Sequence, residues 1–312
     1  MPGSAEIAVL GLGWCACDRI YSVDRYPPPG GKARIRGVLE QGGGQVATAL
    51  VALARLGHRG RIVGKRGDDP EGERIAREFA EAGVDTAGLI TVPGARSQLS
   101  VILVPAAGGE RTIFVHRGGG IDLGPADLEP GLLPAAPYIL LIDGHELEAC
   151  LFAAAHCRAR GGRVVLDAEH CEPRTRELLP LVDELVADES FPAKLLGEAV
   201  DPGASATLAA LRATGARRVT VTLGARGAVG WDGQTRVEQP AFAVPVVDTT
   251  GAGDAFHAGV CHGLLAGLDF AATLRFACAL AGLKCRAPGG RLGLPSLAEV
   301  EALLASGRLR RD

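Results

Sequence analysis

From residue 121 onward the chain alternates short apolar runs with stretches of helical period, and this rhythm restricts the fold more than any other feature. Residues 138–142, 163–167, 184–187 and 218–223 read as buried strands, with helical stretches at 147–160 and 204–214 between them. Strands spaced this way form a mostly parallel sheet covered by helices on both faces. Three consecutive helices at 252–266, 271–285 and 296–305 close the chain. The first 120 residues fit the same plan with an addition. A buried strand at 6–12, an Ala-rich helix from Gly44 to about Leu56, a strand at 61–63 and a helix beginning at Asp68-Asp69-Pro70 belong to the layered core. Residues 18–41, broken by Pro27-Pro28-Pro29-Gly30-Gly31, and 96–120, with a hairpin turn at 107–109, read instead as exposed β-structure. The expectation is one α/β domain over 1–312, doubly wound, with a small β-sheet lid inserted in two pieces near 18–41 and 96–120. A length of 312 residues is ample for such a core.

Charge and composition exclude several classes of function. With 33 basic and 36 acidic residues the net charge is −3, which leaves no electrostatic footprint for nucleic acid or an anionic membrane. Gly, Pro or a charge interrupts every apolar run before it reaches the ~18 residues of a membrane helix. The opening MPGSAEIAVL has no basic n-region, so the chain reads as cytoplasmic. Eight scattered cysteines without a CxxC pair read as reduced structural thiols and not as a zinc site.

Two nucleotide motifs fail on their context. Gly11-Leu12-Gly13-Trp14-Cys15-Ala16 is a GxGxxA after a strand, but the residues that follow alternate and run into three prolines where a dinucleotide fingerprint needs a helix. Gly31-Lys32 and Gly64-Lys65 lack the Ser or Thr and the upstream Gly of a Walker A loop. A different anion site stands at Asp248-Thr249-Thr250-Gly251-Ala252-Gly253-Asp254. There a small-residue turn enters a helix, so the amides of Gly251, Ala252 and Gly253 can converge on an anion with the helix dipole behind them. Asp254 beside them is placed to take a proton from a hydroxyl that attacks a phosphoryl group. The same residues also fit an ordinary capping turn, and from the residues alone the two readings stand equal.

The stretch DTTGAGDAF resembles the C-terminal signature of the PfkB (ribokinase-like) carbohydrate kinases. The likeness spans nearly the whole chain. Gly42-Gly43-Gly44 with its Ala-rich helix resembles the family's N-terminal signature, VGKRGDDPEG the block after it, and VTLGARG its nucleotide-side turn. DRIYSVDRYP, GERTIF, LRFACALAGLKC and PGGRLGLP are similar to the ketohexokinase and sulfofructose kinase branches. The resemblance implies ATP-dependent phosphorylation of a hydroxyl on a sugar or sugar derivative, with magnesium. It makes Asp254 the general base and Gly251, Ala252 and Gly253 the anion hole. Asp18, Gly43 and Gly44 fall at sugar-binding positions, and Thr222, Gly224 and Gly227 along ATP. Asp248 and Thr250 match a monovalent cation site, which would take K⁺, and the lid implies a homodimer.

Departures from the family pattern sharpen what to look for. Relatives often carry Asn where Gln45 or Thr48 stands. The family's Asn-x-x-Glu appears as Asp188-Glu189-Ser190-Phe191, leaving Glu189 to reach magnesium through water. Of three residues that match a sulfonate site, Lys32 is retained while Val115 and His145 replace the others. Lys32 reads equally as a solvated lysine or as a contact for an acidic substrate group, and His145, at a strand end, as a substrate contact. Asp167 and Glu169 read either as a polar strand end or as holders of magnesium-bound water, and His257 and His262 as packing or surface residues. A nucleoside kinase of the same fold and a non-catalytic sugar-binding regulator are the competing functions.

Overall fold

The computed structural model describes residues 7–105, 111–128 and 131–310. The turn expected at 107–109 and the first residue of the expected opening strand lie outside the described residues. In chain order the strands are β1 (Val9–Leu12), β2 (Ala16–Val23), β3 (Ile35–Gly43), β4 (Gly60–Gly67), β5 (Asp85–Val92), β6 (Gln98–Pro105) and β7 (Thr112–His116). They continue as β8 (Ile139–Ile142), β9 (Arg163–Ala168), β10 (Glu184–Ala187), β11 (Arg218–Thr222), β12 (Ala228–Trp231) and β13 (Arg236–Gln239). The helices are α1 (Gln45–Arg55), α2 (Pro70–Ala82), α3 (Leu147–Ala159), α4 (Thr175–Leu178), α5 (Phe191–Leu196), α6 (Ser205–Ala213), α7 (Ala252–Leu265), α8 (Phe270–Lys284) and α9 (Leu297–Ser306).

Among the described residues, nine strands form one sheet in the order β13-β12-β11-β10-β9-β8-β1-β4-β5. The seven from β11 to β5 run parallel, and β12 and β13 add an antiparallel edge. Alternate side chains of these strands enter two separate cores. Val9, Ile62, Leu141 and Val165 pack towards α1, α2, α7, α8 and α9, whereas Leu10, Val63, Leu140 and Val164 pack towards α3, α4, α5 and α6. This is the doubly wound plan the sequence predicts. Gly11–Ala16 leads into strand β2 and not into a helix, as its alternating residues require. Strands β5, β12 and β13 escape the sequence reading, and β4 runs four residues past the expected 61–63. The edge strand β5 is half-exposed and carries Gly88, which blurs its period-two signal.

A second sheet of four strands, in the order β3-β2-β6-β7, is assembled from the two segments expected to be exposed β-structure. Asp69 fastens it to the core. Its carboxylate caps α2 by accepting from the Gly72 amide at 2.9 Å, and also accepts from the Ser97 amide and hydroxyl at 2.9 and 2.6 Å just before β6. Strand β3 then runs through Gly42–Gly43 directly into α1, so the sheet joins the core at a glycine hinge.

Candidate active site

The parallel strands β1, β8, β9, β10 and β11 all end on one edge, and the order β8-β1-β4 puts the topological switch point there. Open α/β sheets bind ligands at that edge. The turn before α7 lies against it. Gly251 holds φ 77°, and a Cβ there would stand 2.6 Å from the Gly290 carbonyl oxygen, so only glycine fits. The amides of Gly251 and Gly253 have no acceptor among the described residues, whereas the Ala252 amide donates to the Thr249 carbonyl at 3.1 Å. The turn closes on itself through that bond, which removes Ala252 from the three amides expected to face an anion. A Cβ at Gly253 would meet nothing within 4 Å, leaving open space above the helix end.

Asp254 sits one residue further, partly open to the cleft. Burial and then the Asp167 carboxylate push it well above the usual carboxylate range, with the His257 imidazole pulling the other way. Asp167, at the end of β9, is raised by burial and by Glu169, Asp143 and Asp188. His257 is buried one turn after Asp254. Its Nδ1 stands 2.7 Å from the Gly253 carbonyl oxygen and 3.3 Å from an Asp167 oxygen. Sequence reasoning assigned it to packing, because nothing in the local pattern reveals that β9 brings a carboxylate to this face of α7.

On one side of this turn an apolar cavity of about 320 Å³ is lined by Thr222, Gly224, Gly227, Phe242, Val246 and Cys278 and reaches Thr249 and Gly253. The structure thus joins the predicted nucleotide-side residues to the turn before α7.

On the other side lies Asp18, buried on β2. A Cβ on Gly43 would fall 2.3 Å from both its carboxylate oxygens. Burial raises the Asp18 pKa, opposed by the Ser100 hydroxyl and the Arg291 guanidinium. Gly44 holds φ 94° against the Trp14 carbonyl. Gln45 donates to Glu169 at 2.7 Å and to Asp167 at 3.4 Å, and its carbonyl oxygen lies 3.2 Å from His145 Nε2. Asp18, Gly43, Gly44, Gln45, His145 and Asp254 therefore share one region.

Five further candidate residues have settings of their own. Thr48 is buried, and its hydroxyl faces Arg291 Nε at 3.5 Å, because the i+3 position of α1 points inward and not into the cleft. Lys32 is exposed in the loop between β2 and β3. Glu189 is exposed and pairs with Arg226 at 3.3 Å, while Asp188 caps the start of α5. Asp248 and Thr250 bond each other: Oδ1 of Asp248 accepts from the Thr250 amide and hydroxyl, both at 2.8 Å. Oδ2 accepts from the Gly289 amide at 2.7 Å, and the Asp248 carbonyl accepts from the buried Lys284 ammonium at 3.1 Å. These residues do not fit a monovalent cation, since a lysine already supplies the positive charge. Arg291, which sequence reasoning missed, is buried and bonds Gly43 O at 3.3 Å and Glu78 at 3.2 Å.

Unfilled amides at a helix N-terminus, an acid of raised pKa beside them and an apolar cavity that reaches them suit an enzyme that transfers a phosphoryl group to a hydroxyl. A model of the pfkB family of carbohydrate kinases matches residues 6–297, and the chain belongs to that family. A ribokinase of Bacillus subtilis is 29 % identical over 296 residues, covering 94 % of this chain and 98 % of that protein. An aminoimidazole riboside kinase of Salmonella typhimurium is 33 % identical over 231 residues, covering 70 % and 72 %. The solved structure of a ribokinase from Cryptococcus neoformans in complex with ADP matches with a TM-score of 0.79 at 25 % identity, covering 95 % and 99 %. These relatives are ribokinases and a riboside kinase; they place the chain in the family and do not specifically support the ketohexokinase or sulfofructose kinase branch. Its activity is ATP-dependent phosphorylation of a hydroxyl on a sugar or sugar derivative. Among the described residues no helix is long and apolar enough to cross a membrane.

Proposed function

We propose that the substrate is a neutral sugar and that Asp254 takes the proton of its reacting hydroxyl. The observation that carries this reading is the position of Asp254, next in the chain to the free amide of Gly253 and close enough to Asp18 to feel its charge. A raised pKa suits a group that must gain and lose a proton near neutral pH. The two amides and the dipole of α7 stabilise charge that develops on the transferred phosphoryl group. Thr222, Gly224 and Gly227 line the slot for the adenine side of ATP. Magnesium fits the oxygen donors of Asp167 and Glu169, which would hold it through water, and when bound with ATP it offsets the phosphate charge. Glu189 is left out of that role by its pairing with Arg226.

Neutrality of the substrate follows from the cations around the pocket. Arg117 pairs with Glu146 and Arg291 with Glu78, and Lys32 is exposed. Of these three only Lys32 lacks an acidic partner among the described residues, and its exposure in the loop between β2 and β3 sets it apart from the buried groups around Asp18. The four-stranded sheet serves as the lid that excludes water during transfer. Its exposed Val38, Ile113 and Phe114, with β7 as a free edge, suit pairing with a second copy of the chain. Eight unpaired cysteines and the use of ATP suit the cytoplasm.

A coupled ADP-release assay over aldoses, ketoses, sugar acids and nucleosides tests the proposal. A neutral aldose or ketose is expected to give the highest kcat/KM. Highest kcat/KM with a sulfonated sugar, abolished by Lys32→Ala, would overturn it, and a nucleoside as the best substrate would replace it with the nucleoside kinase reading.

A further inference from the structure

Strand register places three polar side chains in a row across the small sheet. Asp18 on β2 lies opposite Gln41 on β3 and opposite Ser100 on β6. Residues directly opposite one another in a sheet present their side chains to the same face. All three are buried, with exposures of 5 % for Gln41, 8 % for Asp18 and 7 % for Ser100. Asp18 and Ser100 interact with each other, and Asp18 also feels Arg291. Gln41 differs from both. Among the described residues neither its amide nitrogen nor its amide oxygen has a hydrogen-bond partner.

A buried amide without partners is costly, and buried polar groups are bonded in the great majority of cases. The surroundings of Gln41 indicate what it awaits. The loop after α8 approaches it closely enough that a Cβ on Gly289 would stand 2.6 Å from its Oε1, and one on Gly290 3.2 Å from its Nε2. Gly290 in turn packs against Gly251 of the anion hole. The Gln41 amide therefore lies between the Asp18 carboxylate and the turn that opens α7.

We infer that Gln41 is a specificity-determining residue that reads a substrate hydroxyl next to the one bound by Asp18. A carboxylate only accepts, whereas an amide both donates and accepts. Side by side they match a vicinal diol: one hydroxyl donates to Asp18, and its neighbour exchanges both bonds with Gln41. The inference rests on the proposed sugar pocket and adds that two adjacent hydroxyls are selected.

Gln41→Leu in the full chain tests it, with sugar KM, ATP KM and Tm measured together, and Gln41→Met as a second variant should Leu not fold. Expected are a sugar KM raised at least ~10-fold, the low end for losing hydrogen bonds in a buried site, an ATP KM within about twofold, and a Tm equal to or above that of the unsubstituted protein. An apolar side chain of similar size removes unmet polar atoms, so stability has no reason to fall. A lower Tm with an unchanged sugar KM would show a structural amide and overturn the inference. Asp18→Ala separates the two levels. If it leaves sugar KM unchanged, the sugar pocket itself is misplaced. If it raises sugar KM while Gln41→Leu does not, only the role of Gln41 falls.

Discussion

The imidazole of His145 stacks on the indole of Trp14, with ring centroids 3.7 Å apart and 12° between the planes. The Arg117 guanidinium also lies over the indole, 4.2 Å from its centroid, and Trp14 Nε1 donates to Glu146 at 3.0 Å. The wall beside Gln45 is thus held from several directions, and His145 is kept neutral. Burial, aided by His170 and Arg117, pushes its pKa down to about 3.

That depression ties stability to pH. Because the folded pKa is below the ordinary 6.5, the unfolded chain takes up the proton first. The contribution of His145 is complete above that value and is lost as pH falls towards about 3. His145→Phe, which keeps a ring against Trp14, should narrow the fall in Tm between neutral pH and about pH 4.5 by an amount worth on the order of 1 kcal/mol. Parallel Tm curves for the two proteins would contradict a neutral, buried His145.

Asp254→Asn should lower kcat by at least ~10²-fold while ATP binding changes little, since the amide can neither accept the proton nor alter the apolar slot. Near-normal turnover in a folded variant would remove Asp254 from the chemistry.

The base must be ionised to act, so kcat is lost as pH falls through the raised Asp254 pKa. The acid limb should therefore lie above the ordinary range near pH 4. Asp167→Asn removes a negative charge that raises that pKa. Its acid limb should move to lower pH, and a limb that stays in place would show that the two carboxylates are uncoupled.

Gly253 and Gly251 should fail in opposite ways. Gly253→Val puts a branched side chain into open space above the free amides, so turnover should drop at least ~10-fold with little change in Tm. Gly251→Ala meets both positive φ and the Gly290 backbone, and should lower Tm by an amount worth about 1 kcal/mol or more. Equal thermal losses in both variants would refute the assignment of open space to an anion.

Lys284 already supplies a buried positive charge to the turn at Asp248. Exchanging potassium for sodium in the assay should change kcat by less than about twofold, under ~0.5 kcal/mol. Strong activation by potassium would mean that the ammonium does not fill this role.

The chain alone determined what depends on neighbours in sequence. Asp69-Pro70 caps a helix, a small-residue turn at Gly251 enters α7, and Asp254 follows three residues later, because backbone preferences and bonds over three or four residues decide such features. The alternation of apolar strands and helices likewise fixed a parallel, two-sided sheet, since each strand must bury both faces. Tertiary structure decided what the same residue types do once distant strands meet. Thr48 turns to Arg291, Asp248 to Lys284, and Glu189 to Arg226, each satisfied by a partner far away in sequence. The row Gln41–Asp18–Ser100 exists only through the register of three strands, and a slip of one residue would point all three side chains away from the site. Register and packing follow from burial summed over the whole core, so no local pattern carries them.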